Sequence, residues 1–321
     1  MFIENRLEVN TMAKWAFLFP GQGSQYVGMG KDLKDNFKEA AEVFDEADGA
    51  LNEKLSKLCF DGPESDLKLT MNTQPAILTV SVAVLRVLQK ETDIAPSLLA
   101  GHSLGEYSAL VCSGALGFAD AVRIVRKRGT YMQEAVPVGI GGMAAILGME
   151  TDAVEKICNE CAEGQLVSPA NYNCPGQIVI SGHIEAVQRA AEKAEAEGAK
   201  RAVILQVSAP FHSALMKPAA EKLAEALEPI QVNDLFVPVL SNADADFYPS
   251  KDDVKRLLTK QVDHPVRWIE EMDKLVNEGV DNCLELGPGN VLRGLMRKIS
   301  REIKAKNMDK TEDIKDFVAS L

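Results

Sequence analysis

A serine stands between two glycines in GHSLGE, residues 101–106. The preceding SLLA predicts a buried strand, and the following YSALVCSGAL predicts a helix. G-x-S-x-G at such a junction is typical of a nucleophile elbow, whose tight turn requires small neighbours and exposes the serine hydroxyl. Amide N–H groups at the start of the next helix would suit a developing oxyanion. We therefore interpret Ser103 as a nucleophile, with a purely structural turn as the alternative.

A serine nucleophile needs a general base, and the chain holds four histidines. His102 is adjacent to Ser103, and neighbours on so sharp a turn generally point apart. His183 and His264 stand at predicted helix boundaries, where a surface position explains them. His212 follows VILQVSAPF at the carboxyl end of a predicted strand, which is where sites in open α/β sheets lie. Position alone favours His212 and leaves the other three open.

The sequence lacks the usual motifs for binding a dinucleotide, a nucleotide phosphate or a metal. The glycine-rich GQGSQY has Tyr26 where a dinucleotide fingerprint needs its third glycine. No G-x-x-x-x-G-K-[ST] segment is present for nucleotide phosphates, and no histidine, cysteine and carboxylate cluster has metal-ligand spacing. The pair Cys158 and Cys161 lies in a helical pattern without a second ligand pair. We expect no bound metal, and free thiols as in a reducing compartment.

Composition and charge narrow the class of protein. The 321 residues are 46% hydrophobic and 26% charged, which is ordinary for a soluble globular protein. A net charge of −12 argues against a general nucleic-acid binder. The longest apolar stretch, residues 76–88, is too short to span a bilayer, and the N-terminus lacks the apolar core of a signal peptide. We expect a cytoplasmic protein that contacts neither nucleic acid nor membrane.

The order of strand and helix patterns predicts an α/β fold. Residues 137–208 alternate as β-α-β-β-α-β, the order of a ferredoxin-like unit. Residues 12–136 and 209–317 alternate strands and helices as a parallel sheet requires, and NTQPAIL predicts a helix with Pro75 in its first turn. We predict an α/β-hydrolase-like large domain with a parallel sheet and a nucleophile elbow, a ferredoxin-like small domain inserted at 137–208, and a disordered extension at 1–11.

Eight segments in collinear order resemble one enzyme family. They are FLFPGQGSQYVGMG, NTQPAIL, GHSLGEYSAL, RKRGTYMQ, SPANYNCPGQIVISG, SAPFHSALM, HPVRW and ELGPGNVLRGL. Together they resemble the malonyl-CoA:acyl-carrier-protein transacylases, the acyltransferases that load malonyl groups in bacterial fatty acid synthesis. The resemblance runs from about residue 13 to residue 317.

The resemblance implies a role for the residues that match the family's motifs. It places the nucleophile at Ser103 and the base at His212. The backbone N–H groups of Gln22 and Leu104 would form the oxyanion hole. Arg128 of RKRG corresponds to the residue that binds the free carboxylate of malonate.

Further positions follow from the same resemblance. Gln261 corresponds to the residue whose backbone carbonyl orients the histidine in place of a triad aspartate, which implies a dyad. Phe211, just before the histidine, is typical of relatives that choose malonyl over methylmalonyl. The amides of Asn171 and Asn173 in ANYNCPG lie near the cleft in such enzymes.

The implied reaction is a ping-pong transfer of malonyl from malonyl-CoA to the phosphopantetheine thiol of acyl carrier protein, for fatty acid synthesis. Coenzyme A enters as a thioester substrate, no cofactor is bound, and we expect a monomer. The alternatives are a thioesterase or carboxylesterase-type serine hydrolase, a trans-acting polyketide-synthase acyltransferase, or a non-catalytic scaffold. Carrier proteins are acidic, so docking would use one of three basic clusters: Arg123, Arg126 and Lys127; Lys200 and Arg201; or Arg293, Arg297 and Lys298.

Overall fold

The computed structural model describes residues 13–137, 139–207 and 209–321, so the extension predicted at 1–11 lies outside the described residues. The first part of the chain runs from a strand through several helices to the serine turn. Its elements are β1 (Trp15–Phe19), α1 (Lys31–Asn36), α2 (Lys38–Leu51), α3 (Leu55–Asp61), α4 (Glu64–Leu67), α5 (Thr70–Glu91), β2 (Leu98–Gly101), α6 (Gly105–Cys112) and α7 (Phe118–Glu134).

The middle part forms an antiparallel sheet covered by two helices. Its elements are β3 (Gly141–Leu147), α8 (Thr151–Cys161), β4 (Val167–Cys174), β5 (Gln177–His183), α9 (Ile184–Ala196) and β6 (Arg201–Ile204). The strands lie in the order β4-β5-β3-β6, and every pair is antiparallel. Apolar faces of α8 and α9 pack against this sheet and form a hydrophobic cluster of their own.

The last part returns to the first sheet. Its elements are α10 (Lys217–Leu227), β7 (Leu240–Ser241), β8 (Asp246–Phe247), α11 (Val254–Asp263), α12 (Trp268–Asn277), β9 (Asn282–Leu286), α13 (Val291–Ile299), β10 (Lys304–Met308) and α14 (Thr311–Ala319), with short 3-10 turns at Ala214–Met216 and Lys251–Asp253. β7 and β8 pair as a short antiparallel ribbon.

A four-stranded parallel sheet positions the serine turn. Its strands lie in the order β10-β9-β1-β2, and all three pairs are parallel. Val239 bridges to Leu99 in the same direction, so the chain entering β7 runs beside β2. Because parallel strands end at one edge of the sheet, the loops after β1, β2 and β7 meet there. The α/β class with a parallel sheet is confirmed.

Helix α5 differs from the sequence prediction at its start. It begins at Thr70, so Pro75 lies inside it rather than in its first turn. The missing N–H of proline removes a single helical bond, the one to the carbonyl of Met71. The Thr73 hydroxyl meanwhile donates to the carbonyl of Leu67 at 2.5 Å, which ties the early turn to the preceding segment. One lost bond near the start is therefore tolerated.

Helix α5 is also, within the described ranges, the one helix long and apolar enough to cross a membrane. Of its most apolar 18-residue window, 83% is buried inside the protein. It packs between α2 and α7 as a core helix of a globular protein does.

Both glycines of the serine turn are sterically required. A Cβ on Gly101 would lie 1.9 Å from the carbonyl carbon of Gly105, and a Cβ on Gly105 would lie 1.9 Å from the carbonyl oxygen of Phe19. Ser103 between them adopts a φ of 51°, in the left-handed region. The small neighbours expected of a nucleophile elbow are thus imposed by backbone-to-backbone contact.

We expect Gly105→Ala to destabilise the protein, because the new methyl group must displace backbone atoms. The loss in free energy of unfolding should be about 1–3 kcal/mol or more, measured by urea denaturation. Gly49→Ala is the matched control, since Gly49 is exposed within α2 and its Cβ would meet nothing within 4 Å. That change should stabilise by about 0.5–1 kcal/mol. Equal effects of the two substitutions would contradict the close approach.

Candidate active site

Ser103 and His212 form a hydrogen-bonded pair at the edge of the parallel sheet. The Oγ of Ser103 lies 2.7 Å from the Nε2 of His212. The Nδ1 of His212 lies 2.9 Å from the carbonyl oxygen of Gln261 and 3.2 Å from that of His264. Both carbonyls can only accept, so the Nδ1 carries the proton and the Nε2 presents its lone pair to the serine. This tautomer can take a proton from Ser103.

The other histidines are held elsewhere. His102 bonds through its Nε2 to the Oδ1 of Asn173 at 2.8 Å. The Nδ1 of His183 accepts from the backbone N–H of Leu166 at 2.9 Å, and His264 bonds to the neighbouring aspartate. In the part of the chain that the structure describes, His212 is therefore the histidine within hydrogen-bonding distance of the Ser103 hydroxyl.

The surroundings of His212 keep its imidazole neutral. Burial, and next to it the nearby positive charge of Arg128, together lower its pKa from 6.5 to about 3. A group whose pKa is depressed in this way stays unprotonated throughout the neutral range. The imidazole is thus in the form that a general base requires.

We expect the ¹⁵N resonances of the His212 ring to keep the values of a neutral imidazole from pH 8 down to about pH 5. In the Arg128→Met variant the pKa of His212 should rise, because a repelling positive charge is gone. Titration by NMR checks both results. A midpoint near the ordinary value of about 6.5 in the unmodified protein, or no change in the variant, would contradict the electrostatic environment described above.

Arg128 of α7 carries a buried guanidinium beside the serine. It is 1% exposed, and its Nη2 lies 3.2 Å from the Ser103 Oγ. The Nη1 donates to the Oε1 of Gln74 and the Nη2 to the Oε1 of Gln261, each at 2.8 Å. Tyr107 faces the guanidinium carbon at 5.5 Å from its ring centroid. Among the described residues no carboxylate forms an ion pair with this cation, although buried charges are usually paired.

The backbone N–H groups of Gln22 and Leu104 have no acceptor among the described residues. Both residues border the same cavity as the serine. The N–H of Ser103 itself is occupied, because it donates to the Oδ1 of Asn242 at 2.6 Å. The donors predicted for an oxyanion hole are thus open, and that role stays a prediction.

A cavity of about 250 Å³ joins these groups. Of the nine residues predicted to lie at the site it is bordered by eight: Gln22, Ser103, Leu104, Arg128, Asn171, Asn173, Phe211 and His212. The ninth, Gln261, is fully buried behind His212. Asn171 reaches the cavity from β4, which is held to the last part of the chain by the N–H of Tyr172 donating to the carbonyl of Val266 at 2.9 Å.

The sequence did not single out three polar residues that contact this site. Gln74 binds Arg128, while Glu106 and Asn242 lie beneath the serine turn. The signals available were weak: Glu106 belongs to GHSLGE itself, and Asn242 follows a strand at its carboxyl end. Across residues 13–137, 139–207 and 209–321, no three histidine, cysteine or carboxylate side chains are grouped as a metal site would need.

A family profile, a protein relative and a solved structure all match this chain over nearly its full length. The acyl transferase domain profile matches residues 16–313. The malonyl CoA-acyl carrier protein transacylase of Bacillus subtilis (strain 168) is 53% identical over 311 residues, covering 97% of this chain and 98% of the relative. The structure of its counterpart from Coxiella burnetii superposes with a TM-score of 0.94 at 44% identity, covering 96% of this chain and 98% of that one.

A further solved structure contains a malonyl-transacylase in complex with its type II PKS acyl-carrier protein. It superposes with a TM-score of 0.94 at 46% identity, covering 96% of this chain and 100% of that one. The profile matches most of this chain, and these relatives cover nearly all of it. The chain therefore belongs to the acyl transferase domain family and, within it, to the malonyl CoA-acyl carrier protein transacylases.

Proposed function

We propose that this protein transfers a malonyl group from malonyl-CoA to the phosphopantetheine thiol of an acyl carrier protein, in the service of fatty acid synthesis. The observation that carries the proposal is the Arg128 guanidinium, which is buried, contacts only neutral acceptors and lies 3.2 Å from the Ser103 Oγ. In a substrate whose carboxylate is one CH₂ group away from its reacting carbonyl, the carboxylate would contact the guanidinium while the carbonyl meets the serine oxygen. Malonyl thioesters have this shape.

In the first half-reaction the Ser103 oxygen bonds to the thioester carbon while its proton passes to the Nε2 of His212. The carbonyl oxygen becomes an oxyanion, which the N–H groups of Gln22 and Leu104 stabilise. Collapse of this intermediate breaks the carbon–sulfur bond, and the departing coenzyme A thiolate takes the proton from His212. A malonyl ester on Ser103 is left.

In the second half-reaction the carrier protein's thiol follows the same path in reverse. His212 accepts the thiol proton, the sulfur attacks the ester carbon, and the proton returns to Ser103 as its oxygen leaves. The Gln261 carbonyl holds the imidazole in the tautomer both steps require, so the pair works as a dyad. Phe211 and Asn171 border the space for the acyl group and the thioester, and we assign them to substrate binding.

The transfer assay separates this function from that of a serine hydrolase. Protein is mixed with malonyl-CoA and phosphopantetheinylated carrier protein, and the products are resolved by mass spectrometry. We expect malonyl-carrier protein to form. Free malonate without malonyl-carrier protein would replace the proposal by the thioesterase alternative. Carrier proteins from fatty acid and polyketide systems, compared in parallel, distinguish the two kinds of acyltransferase.

We further propose that α13 receives the carrier protein. Val291, Leu292 and Leu295 of this helix border the cavity, and on the same helix Arg297 is exposed and Arg293 is half-buried. The basic cluster on α7 is partly neutralised by ion pairs with Asp120 and Glu53. The remaining cluster, Lys200 and Arg201, lies at the start of β6, at the end remote from Leu205 and Val207, which border the cavity.

The double change Arg293→Glu and Arg297→Glu should raise KM for carrier protein by about tenfold, because two favourable charges become repulsive. Malonylation of Ser103 by malonyl-CoA alone should change little. The matched control is Lys200→Glu with Arg201→Glu, which should leave KM for carrier protein near its original value. Stopped assays at varied carrier-protein concentration and low salt make the comparison. The opposite ranking of the two variants would move the docking surface to β6.

We also propose the domain division predicted from the sequence, with 12–136 and 209–317 in a large domain and 137–208 in a small one. The separate hydrophobic cluster of the middle part supports it. The β-α-β-β-α-β order and the sheet order of β3 to β6 fit a ferredoxin-like unit, and the strand–turn–helix around Ser103 fits an α/β-hydrolase-like elbow.

We also propose a cytoplasmic location, a monomeric state and a reaction without a bound cofactor. All six cysteines are unpaired, which suits a reducing cytoplasm. One chain supplies every proposed site residue, so a monomer suffices. Nucleophile, base and oxyanion donors are all protein groups, and the coenzyme A thioester enters as substrate, so the reaction needs no bound cofactor.

A further inference from the structure

The side chain of Asn242 contacts the backbone of the nucleophile and of the residue two positions before it. Its Oδ1 accepts the N–H of Ser103 at 2.6 Å, and its Nδ2 donates to the carbonyl of Gly101 at 2.8 Å. Asn242 is fully buried and directly follows β7, which lies beside β2. Resting on the proposed function, we propose that Asn242 is a positioning residue whose amide holds the serine turn so that the Ser103 hydroxyl faces His212.

The turn needs such support because its geometry is unfavourable by itself. Ser103 has a φ of 51°, and a non-glycine residue persists in this region only when its surroundings determine it. The Gly101 carbonyl belongs to the last residue of β2, and the Ser103 N–H lies two residues before α6 begins. Asn242 satisfies the N–H of the strained residue and the carbonyl of Gly101 with a single planar amide. Rotation of the turn would break both bonds together.

The amide of Asn242 can take only one orientation. Its Nδ2 also faces the two carboxyl oxygens of Glu271, at 2.9 and 3.1 Å. Reversing the amide would place the Oδ1 against the acceptors of Glu271 and Gly101, and would set the NH₂ group against the Ser103 N–H. Glu271 is fully buried, and burial raises its pKa well above the ordinary value. In its neutral form it still offers one acceptor oxygen to the Nδ2.

The backbone of Asn242 is held by the network that also holds the base. Its N–H donates to the Oε2 of Glu106 at 3.1 Å, and the same oxygen accepts from the Nε2 of Gln261 at 2.7 Å. The carbonyl of Gln261 accepts from the Nδ1 of His212. Glu106 also accepts from the hydroxyl of Tyr248 and is fully buried. One buried network of hydrogen bonds thus holds both the turn that carries Ser103 and the imidazole of His212.

The test measures the rate of Ser103 malonylation in the full chain carrying Asn242→Ala. Rapid quenching and mass spectrometry follow the malonyl adduct at increasing malonyl-CoA concentration. We expect the maximal rate constant to fall by about 100-fold, as for a misplacement of roughly 1 Å. The half-saturating concentration should stay within about threefold, since Asn242 does not contact Arg128. A folded variant that malonylates within threefold of the unmodified rate would overturn the proposal.

Asp48→Ala is the matched control. The Asp48 carboxylate is buried and accepts the backbone N–H of Ser56 at 2.8 Å, as Asn242 accepts that of Ser103, but it lies at the junction of α2 and α3. It should lower stability and leave the malonylation rate unchanged. A slowing equal to that of Asn242→Ala would mean that loss of stability alone explains the effect.

Two changes at Glu271 decide the question if Asn242→Ala does not fold. Glu271→Gln keeps an acceptor for the Nδ2 of Asn242 and should preserve the rate, whereas Glu271→Met removes it and should slow malonylation by about tenfold. Equal rates for the pair would count against the proposal. Failure of the proposed function is distinguishable, because the unmodified protein would then form no malonyl adduct on Ser103.

Discussion

Ser103→Ala is expected to reduce malonyl transfer by about 10⁴- to 10⁶-fold and to eliminate the malonyl adduct on the protein. The reason is that the proposed route passes through a covalent ester, and alanine offers no oxygen to form it. What persists should reflect substrate binding and the two N–H donors of Gln22 and Leu104. The measurement is the rate of malonyl-carrier protein formation, together with the intact mass of the enzyme after incubation with malonyl-CoA.

Ser97→Ala is the control for this substitution. Ser97 is exposed just before β2, and its hydroxyl donates to the carbonyl of Trp15 at 3.0 Å. It should keep full transfer and a single malonyl adduct. A malonyl adduct that survives in Ser103→Ala would show that another residue carries the acyl group.

Arg128→Ala should depress malonyl transfer far more than acetyl transfer. The guanidinium matches a carboxylate with two parallel hydrogen bonds, a geometry that lysine cannot reproduce. Without it the malonate charge is left unpaired in a partly buried cavity, at a cost of about 2–5 kcal/mol. This corresponds to a loss of about thirty- to several-thousandfold in kcat/KM for malonyl-CoA. Acetyl-CoA carries no such charge and should lose little or even gain.

The same assay on Arg126→Ala controls for the loss of a cation from α7. Arg126 is on the same helix, but it pairs with Glu53 and contacts Asn72 outside the cavity. It should not change the ratio of malonyl to acetyl transfer. If Arg128→Ala lowers both transfers equally, its role is to support the site and not to select the substrate.

Much of the site could be predicted because its parts are encoded over short stretches. The steric need for Gly101 arises within five residues, from its contact with Gly105, so GHSLG predicts the serine turn directly, whereas Gly105 meets Phe19 of β1. The alternation of strand and helix patterns likewise predicts a parallel sheet, whose carboxyl edge is where such turns meet. Position along the strand then favours His212 among four histidines.

Local sequence patterns failed to predict the start of α5 and the burial of Arg128, because tertiary contacts determine both. The first-turn position predicted for Pro75 was wrong, because α5 begins five residues earlier and the Thr73 side chain ties that turn to Leu67. Arg128 lies in VRIVRKRG, where a helical pattern alone places most arginines on a solvated face. Its burial follows from packing of α7 against α5, together with the amide acceptors of Gln74 and Gln261.

The sequence by itself determined the class of fold, the serine turn and, through resemblance, the family. Only the tertiary structure decided which side chains surround that turn. It placed the imidazole of His212 2.7 Å from the serine oxygen and the Asn242 amide against the serine N–H, across a separation of 139 residues. Sterics within a turn act between neighbours, whereas a buried hydrogen bond depends on how strands far apart in the chain come together in one sheet.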